Sequence, residues 1–79
     1  MNWFDKLDII KEKLLKAGRE DLVEEIVQFQ YAGGTPGEIF ASIVYRLSKY
    51  EKEEIDAYVL AKPEVDFLIN YAKSIGYLS

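Results

Sequence analysis

The sequence contains no cysteine and no histidine among its 79 residues. Without cysteine, the chain can form neither a disulfide framework nor a thiolate metal site. Without histidine, it lacks the most common general base, the most common zinc ligand and the usual switch near neutral pH. Ser-His-Asp and Cys-His catalytic arrangements are therefore excluded within this chain. An enzyme would have to work with carboxylates, lysine or tyrosine.

Long apolar runs and a secretory signal are also missing. The longest apolar run, residues 39–45, is interrupted by Ser42 and is far shorter than the roughly 20 residues that span a bilayer. The first residues show neither the basic nor the apolar region of a secretory signal. We therefore predict a soluble, cytoplasmic protein that has no membrane partner.

Positive charge is scarce, since 14 acidic residues outnumber 10 basic ones and give a net charge of −4. The acids are concentrated in residues 20–38, with five acids and no base, and in residues 51–66, with six acids and two bases. Binding to a phosphate backbone needs clustered lysine and arginine. The charge pattern therefore predicts that nucleic acid is not a partner.

Hydrophobic periodicity predicts an all-α fold, a compact bundle of four or five short helices forming a single domain over residues 1–79. In the first helix, capped by Asn2 and ended by Gly18, the apolar residues recur at spacings of three and four. These residues are Trp3, Leu7, Ile10, Leu14 and Ala17. A second helix begins near Glu20, and its apolar arc is wide enough to predict contact with two neighbouring helices.

The segment 33–38 predicts a helix boundary. Gly33 and Gly34 end the second helix, and Thr35 caps the third. Pro36 fits the first helical position, and Glu38 fits the third residue of a capping box. The alternative, an anion site at this helix N-terminus, lacks both the P-loop spacing and a nearby lysine.

From Pro36 onward the sequence predicts either three helices or, if the first two are continuous, two. The third helix ends near Lys49 and is followed by a short helix over residues 52–60 with Ile55 and Val59 facing inward, or else one bent helix covers residues 36–60. The last helix opens at Pro63 and ends at Gly76. Its predicted inward face is Val65, Leu68, Ile69, Ala72 and Ile75.

Three aromatic residues fall away from these inward faces. Tyr45 lies opposite the inward side of the third helix, and Phe67 and Tyr71 form a second stripe on the last helix. Exposed aromatic rings are enriched at binding surfaces, because they offer a large contact area and a polar group. These rings therefore predict a contact with a partner or with a second copy of the chain. For Phe67 and Tyr71 the alternative is that they widen the core face of the last helix.

The second helix also carries an acidic stripe, Asp21, Glu24 and Glu25. This stripe is either a solvated helix face or a surface that attracts a basic partner. Carboxylates of this kind lie side by side on one helix, whereas glycosidase-type chemistry needs them across a cleft. We therefore predict no enzymatic activity, no catalytic or metal-binding residue and no cofactor.

Parts of the chain resemble a family of small uncharacterised bacterial all-helical proteins. The resemblance lies in the opening Met1-Asn2-Trp3-Phe4-x-Lys6-Leu7, the stretch Asp21-Leu22-Val23-Glu24-Glu25 and the turn Gly34-Thr35-x-Gly37-Glu38-Ile39. It covers roughly the first half of the chain and implies a bacterial origin and a helical fold, without any catalytic residue. In physical character the chain also resembles the acidic immunity proteins of nuclease bacteriocins, although their Asp-Leu-Ile-Tyr-Tyr-Pro motif is absent.

Together these features predict a non-enzymatic protein-interaction module, immunity-like or regulatory, with an acidic and tyrosine-bearing helical surface. The predicted partner-binding residues are Glu24, Glu25, Tyr45, Phe67 and Tyr71. The acidic charge favours a basic partner protein. The alternatives are a self-associating homodimeric structural domain and a small-ligand carrier or carboxylate-based enzyme.

Overall fold

Six helical segments follow one another along residues 3–78, which are the residues that the computed structural model describes, and no strand occurs among them. The segments are α1 (Trp3–Lys16), α2 (Glu20–Tyr31), α3 (Pro36–Leu47), α4 (Tyr50–Glu53), α5 (Ile55–Leu60) and α6 (Lys62–Ser74). The predicted all-α bundle is confirmed, with the fourth helix divided into α4 and α5. The predicted cap Asn2 lies outside the described residues. None of the helices described here is long and apolar enough to cross a membrane.

The core is formed where the apolar faces of the long helices meet. Leu7 of α1, Ile26 of α2 and Ile43 of α3 are all buried in it, together with Leu68 of α6. α1 packs against α2, α5 and α6, and α3 packs against α2 and α6. The predicted position of α2 between two neighbours is therefore confirmed.

Glycines end three of the helices, as the sequence predicts. Gly18, Gly33 and Gly76 have φ values of 78°, 89° and 87°, in the left-handed region that residues with a Cβ atom rarely adopt. The chain then turns sharply after α1, α2 and α6. The turns after α1 and α2 keep these two connections short, so that α2 lies against both α1 and α3.

The predicted capping box at the start of α3 is present. The backbone N–H of Glu38 donates to the Thr35 hydroxyl at 3.2 Å, and the Glu38 carboxylate accepts from the backbone N–H of Thr35 at 3.4 Å. Pro36 occupies the first turn, where its missing N–H costs no helical hydrogen bond. This cap fixes the direction in which α3 leaves the glycine turn.

We expect Thr35→Ala to lower the free energy of unfolding by about 1 kcal/mol, because the first turn of α3 loses its side-chain acceptor. Urea denaturation followed by circular dichroism measures the loss. Thr35→Ser is the matched control, since it keeps the hydroxyl, and it should stay within about 0.5 kcal/mol of the parent chain. Equal losses in the two variants would contradict the role given to the hydroxyl.

The prediction that Ile55 and Val59 of the fourth helix face inward is wrong. Ile55 and Val59 are 57% and 66% exposed, and Ala57 and Ala61 are buried instead. The helix is broken at Glu54, whose φ of −135° and ψ of 60° are not helical, so α5 starts in a new orientation. α5 also contacts both α1 and α6, and small alanine side chains permit this close approach.

Two further residues predicted to face the core are exposed. Ala17 lies in the turn after the last residue of α1, and Ile75 follows the last residue of α6. Neither residue continues the helical path on which its predicted direction depended. The inward faces therefore end one turn earlier than the sequence pattern suggests.

Candidate functional site

Aromatic rings from both ends of the chain meet on one surface, which we call the aromatic surface. It consists of Trp3, Phe4, Phe67, Tyr71 and Tyr77, assembled around the buried ring of Phe40. The Trp3 ring stacks on Phe4 with centroids 3.9 Å apart and lies 4.7 Å from Phe40. Tyr71 and Tyr77 each approach Phe40 edge-on at 5.7 Å. Edge-to-face and stacked contacts of this kind are favourable ring geometries.

The structure brings the predicted residues Phe67 and Tyr71 together on this surface. Their rings stack at 6.5 Å, and the Lys6 ammonium lies 5.0 Å from the centre of the Phe67 ring. Both rings keep more than a third of their surface exposed, at 36% and 40%. They therefore lie at the edge of the core, partly covered by neighbouring side chains and partly open to solvent.

Sequence reasoning missed Phe4 and Tyr77 as members of the aromatic surface. Phe4 is 37% exposed and Tyr77 is 45% exposed. Tyr77 reaches Phe40 because its hydroxyl packs closely over Gly37, where any Cβ atom would collide with it. Helical periodicity places residues on faces but does not reveal which chain ends meet, so no local signal could have grouped these rings.

Tyr45, also predicted to bind a partner, lies on a different surface. Five residues after Phe40, it points about 140° away from Phe40 around α3. It lines a shallow groove between α2 and α3 with Phe29 and Lys49, and the Lys49 ammonium lies 4.8 Å from its ring centre. Half of the Tyr45 surface is exposed.

Two arginines and several carboxylates form what we call the arginine network. Its members are Arg19, Asp21, Glu25, Arg46, Glu53, Glu54 and Asp56. Glu54 lies at its centre, because one carboxylate oxygen accepts from Arg19 at 2.7 Å and the other accepts from Arg46 at 3.2 Å. Nη1 of Arg19 also donates to both carboxylate oxygens of Asp56, at 2.7 and 2.8 Å. The network joins the turn before α2 to α3 and to the α4–α5 junction.

The two predicted acidic residues have different environments. The Glu25 carboxylate accepts a hydrogen bond from Nε of Arg46, so much of its charge is balanced within the chain. Glu24 is exposed, and no ion pair joins it to another residue within 3–78. Asp21, the third acid of the stripe, pairs with Arg19 at 3.1 Å. Glu24 is therefore the member of the stripe whose charge is available to a partner.

The arginines lower the pKa values of the carboxyl groups that they contact. The pKa of Glu54 is lowered by its hydrogen bonds to Arg19 and then to Arg46. The pKa of Asp56 is lowered mainly by its hydrogen bond to Arg19. These carboxylates remain ionised well into the acidic range, which suits a structural ion-pair network rather than proton transfer near neutral pH.

Tyr50 is fully buried beneath this network. The Arg46 guanidinium lies 5.3 Å from its ring centre. Its hydroxyl has no hydrogen-bond partner among residues 3–78. Burial raises the pKa of Tyr50 to about 12, because the phenolate would lose its hydration.

A second groove, which we call the α3/α6 groove, has a volume of about 400 Å³. It is lined by Leu47, Ser48, Glu51, Tyr58, Asp66, Ile69, Asn70, Lys73 and Leu78. At one end, the Tyr58 hydroxyl and the Lys62 ammonium donate to the two oxygens of Asp66, each at 2.8 Å. Sequence reasoning did not single out this groove, because its residues come from four separate segments.

The described residues contain no group of three or more acidic side chains placed to hold a metal ion. Comparison of the chain with protein-family models, with curated proteins and with solved structures gives no match. The resemblance to small bacterial helical proteins therefore remains a prediction.

Proposed function

We propose that the chain is a non-enzymatic protein-interaction module that binds a partner protein through the aromatic surface. The observation that carries the proposal is the contiguity of its exposed rings. Phe4, Phe67, Tyr71 and Tyr77 each expose more than a third of their surface. Tyr71 and Tyr77 contact the buried Phe40 ring directly, whereas Phe67 joins through Tyr71 and Phe4 through Trp3. Contiguous exposed apolar groups on a small domain are typical of interaction sites, and tyrosine is enriched among interface hot spots.

The aromatic surface is also well prepared for binding. Each ring already packs against a neighbour, and Tyr71 and Tyr77 both lean on Phe40. Side chains that are ordered before binding lose less conformational entropy when a partner arrives. The tyrosine hydroxyls can in addition pair with polar groups of the partner.

The negative charge of the whole protein supports a basic partner. The net charge is −4, and Glu24 is exposed without an ion pair in the described chain. Such charges mainly raise the rate at which a partner of opposite charge associates. Within the aromatic surface itself the nearest cation is Lys6, over Phe67, so apolar contact would supply most of the affinity.

We expect the double substitution Phe67→Ser with Tyr71→Ser to weaken partner binding at least about tenfold, since two interface anchors are lost. The tagged chain is used as bait in a lysate of the source cells, and the captured protein is then titrated by calorimetry. Tyr31→Ser is the matched control, because Tyr31 is 85% exposed and belongs to neither groove nor to the aromatic surface. Circular dichroism confirms that each variant is folded.

Three other outcomes would change the proposal. Unchanged binding by the folded double variant would remove the aromatic surface as the site. Loss of binding in Tyr45→Ser alone would assign the interface to the groove between α2 and α3. Capture of only further copies of this chain, with thermal stability that depends on concentration, would replace the partner by a homodimer.

A further inference from the structure

The α3/α6 groove carries two charges that the protein itself does not balance. Glu51 and Lys73 both line it, and within residues 3–78 neither forms an ion pair or a side-chain hydrogen bond. Asp66, the other charged residue of the lining, is already bound by Tyr58 and Lys62. The groove therefore offers one anion and one cation to a ligand.

The two charges come from two different helices that line the groove. Glu51 belongs to α4, and Lys73 lies in the last turn of α6. On α6, Asp66 and Lys73 are separated by seven residues, or about 10 Å. Lys73 thus lies about two turns along α6 from Asp66, and these two residues mark the two ends of the lining that α6 contributes.

Apolar and polar groups complete the lining between these ends. Leu47, Ile69 and Leu78 supply apolar contact. Asn70 precedes Lys73 by three residues, and residues at this spacing share a helix face. Its amide can therefore donate to the same anionic group as the Lys73 ammonium. A volume of about 400 Å³ is also at the lower end of the range of small-ligand pockets, about 300–1,000 Å³.

From this arrangement we infer that the α3/α6 groove binds a short apolar peptide with free termini. Its ammonium group pairs with Glu51, its carboxylate pairs with Lys73 and Asn70, and its side chains cover Leu47 and Ile69. Two extended residues are about 7 Å long, which fits within the roughly 10 Å of α6 between Asp66 and Lys73. A ligand with a single charge would leave one of these side chains unpaired. This site does not depend on the aromatic surface.

The probe is the dipeptide L-leucyl-L-leucine, titrated into the ¹⁵N-labelled full chain. We expect saturable shifts of the amide signals of Ser48, Asn70 and Leu78, with a dissociation constant in the millimolar range. The N-acetylated and the C-amidated dipeptides each lack one charge, and each should bind about fivefold more weakly, as the loss of one exposed ion pair implies. Absence of saturable shifts up to the solubility of the dipeptide would overturn the site.

Charge-removing variants test the two ends separately. Lys73→Gln should weaken the free dipeptide about fivefold but leave the C-amidated form unaffected, and Glu51→Gln should do the same for the N-acetylated form. Lys52→Gln and Glu20→Gln make the same charge changes outside the groove and should leave binding unchanged. If blocked and free dipeptides bind equally, or if the control variants weaken binding as much, recognition of a zwitterion in this groove is wrong.

Discussion

Glu54→Gln is expected to lower the free energy of unfolding by about 2 kcal/mol, because hydrogen bonds to charged groups contribute about 1.5–3 kcal/mol. Within the described chain, Glu54 is the only residue whose side chain is hydrogen-bonded to both arginines of the network. Glutamine keeps the shape of the side chain but replaces one acceptor oxygen by an NH₂ group. That group would face a guanidinium, so one arginine would meet a donor instead of an acceptor.

The position of Glu54 explains why this loss should exceed that of an ordinary surface ion pair. Its side chain is only 21% exposed, and those of Arg19 and Arg46 are 23% and 18% exposed. Partly buried groups are screened less by water and salt than exposed ones. A domain of this length has a total stability of about 4 to 12 kcal/mol, so a loss of about 2 kcal/mol is a large share. Urea denaturation followed by Trp3 fluorescence measures it.

Glu53→Gln is the matched control for this prediction. Glu53 is 53% exposed and meets Arg46 at 3.4 Å, and exposed pairs of this kind contribute about 0–1 kcal/mol. Its substitution should change stability by less than about 0.5 kcal/mol. Equal losses in the two variants would show that Glu54 has no special role in the network.

Acid should abolish the difference between the parent chain and Glu54→Gln. The pKa of Glu54 in the folded protein lies below its ordinary value of 4.5. The stability that the carboxylate contributes is therefore complete above pH 4.5 and is lost as the pH falls through the lowered value. Below that value Glu54 is protonated in both states, and the two proteins should be equally stable. A difference that persists there would point to a shape effect rather than to charge.

Most of the helical fold could be predicted because its signals are local. The capping box at Thr35 and Glu38 and the stop at Gly18 each act within one turn of a helix. The inward faces of α1, α3 and the middle of α6 follow from spacings of three and four. These signals do not depend on which helices become neighbours.

The break at Glu54 could not be predicted, because its causes are distant in sequence. No glycine or proline marks the position. The carboxylate is instead held by Arg19 and Arg46, which lie 35 and 8 residues away. The direction of α5 follows from this break, so Ile55 and Val59 were placed on the wrong side.

The candidate sites, too, could be predicted only in part. The sequence pattern predicts that Tyr45 points away from the inward face of its helix, and half of the Tyr45 surface is exposed. For Phe67 and Tyr71 the pattern leaves a contact surface and a wider core face open, and both rings, 36% and 40% exposed, lie at the edge of the core. The pattern does not show that Tyr45 lies apart from the other two or that Glu25 is paired with Arg46. Both facts depend on how α2, α3 and α6 pack, which periodicity leaves undetermined.

Tyr50→Phe is expected to stabilise the protein at neutral pH by about 1 kcal/mol. The ring fills the core, but the buried hydroxyl has no hydrogen-bond partner among residues 3–78. A buried polar group without a partner costs about 1–3 kcal/mol, and phenylalanine removes the hydroxyl while it keeps the ring. Tyr31→Phe makes the same chemical change on an exposed ring and should leave stability unchanged. A loss of stability in Tyr50→Phe would mean that the hydroxyl has a stabilising partner.

The stability that Tyr50→Phe gains over the parent chain should grow at alkaline pH. The pKa of Tyr50 is raised from its ordinary value of 10.0 to about 12 by burial. Between these values the unfolded chain ionises Tyr50 while the folded chain does not, so ionisation stabilises the unfolded state. The stability linked to this group is thus complete below pH 10 and is lost as the pH rises toward 12, by up to about 3 kcal/mol at 1.36 kcal/mol per pKa unit. Phenylalanine has no phenolic proton to lose, so the difference in stability between Tyr50→Phe and the parent chain should widen across this window. Chemical denaturation at pH 7, 10 and 11.5 measures this difference, and parallel curves would show that the Tyr50 hydroxyl reaches water in the folded protein.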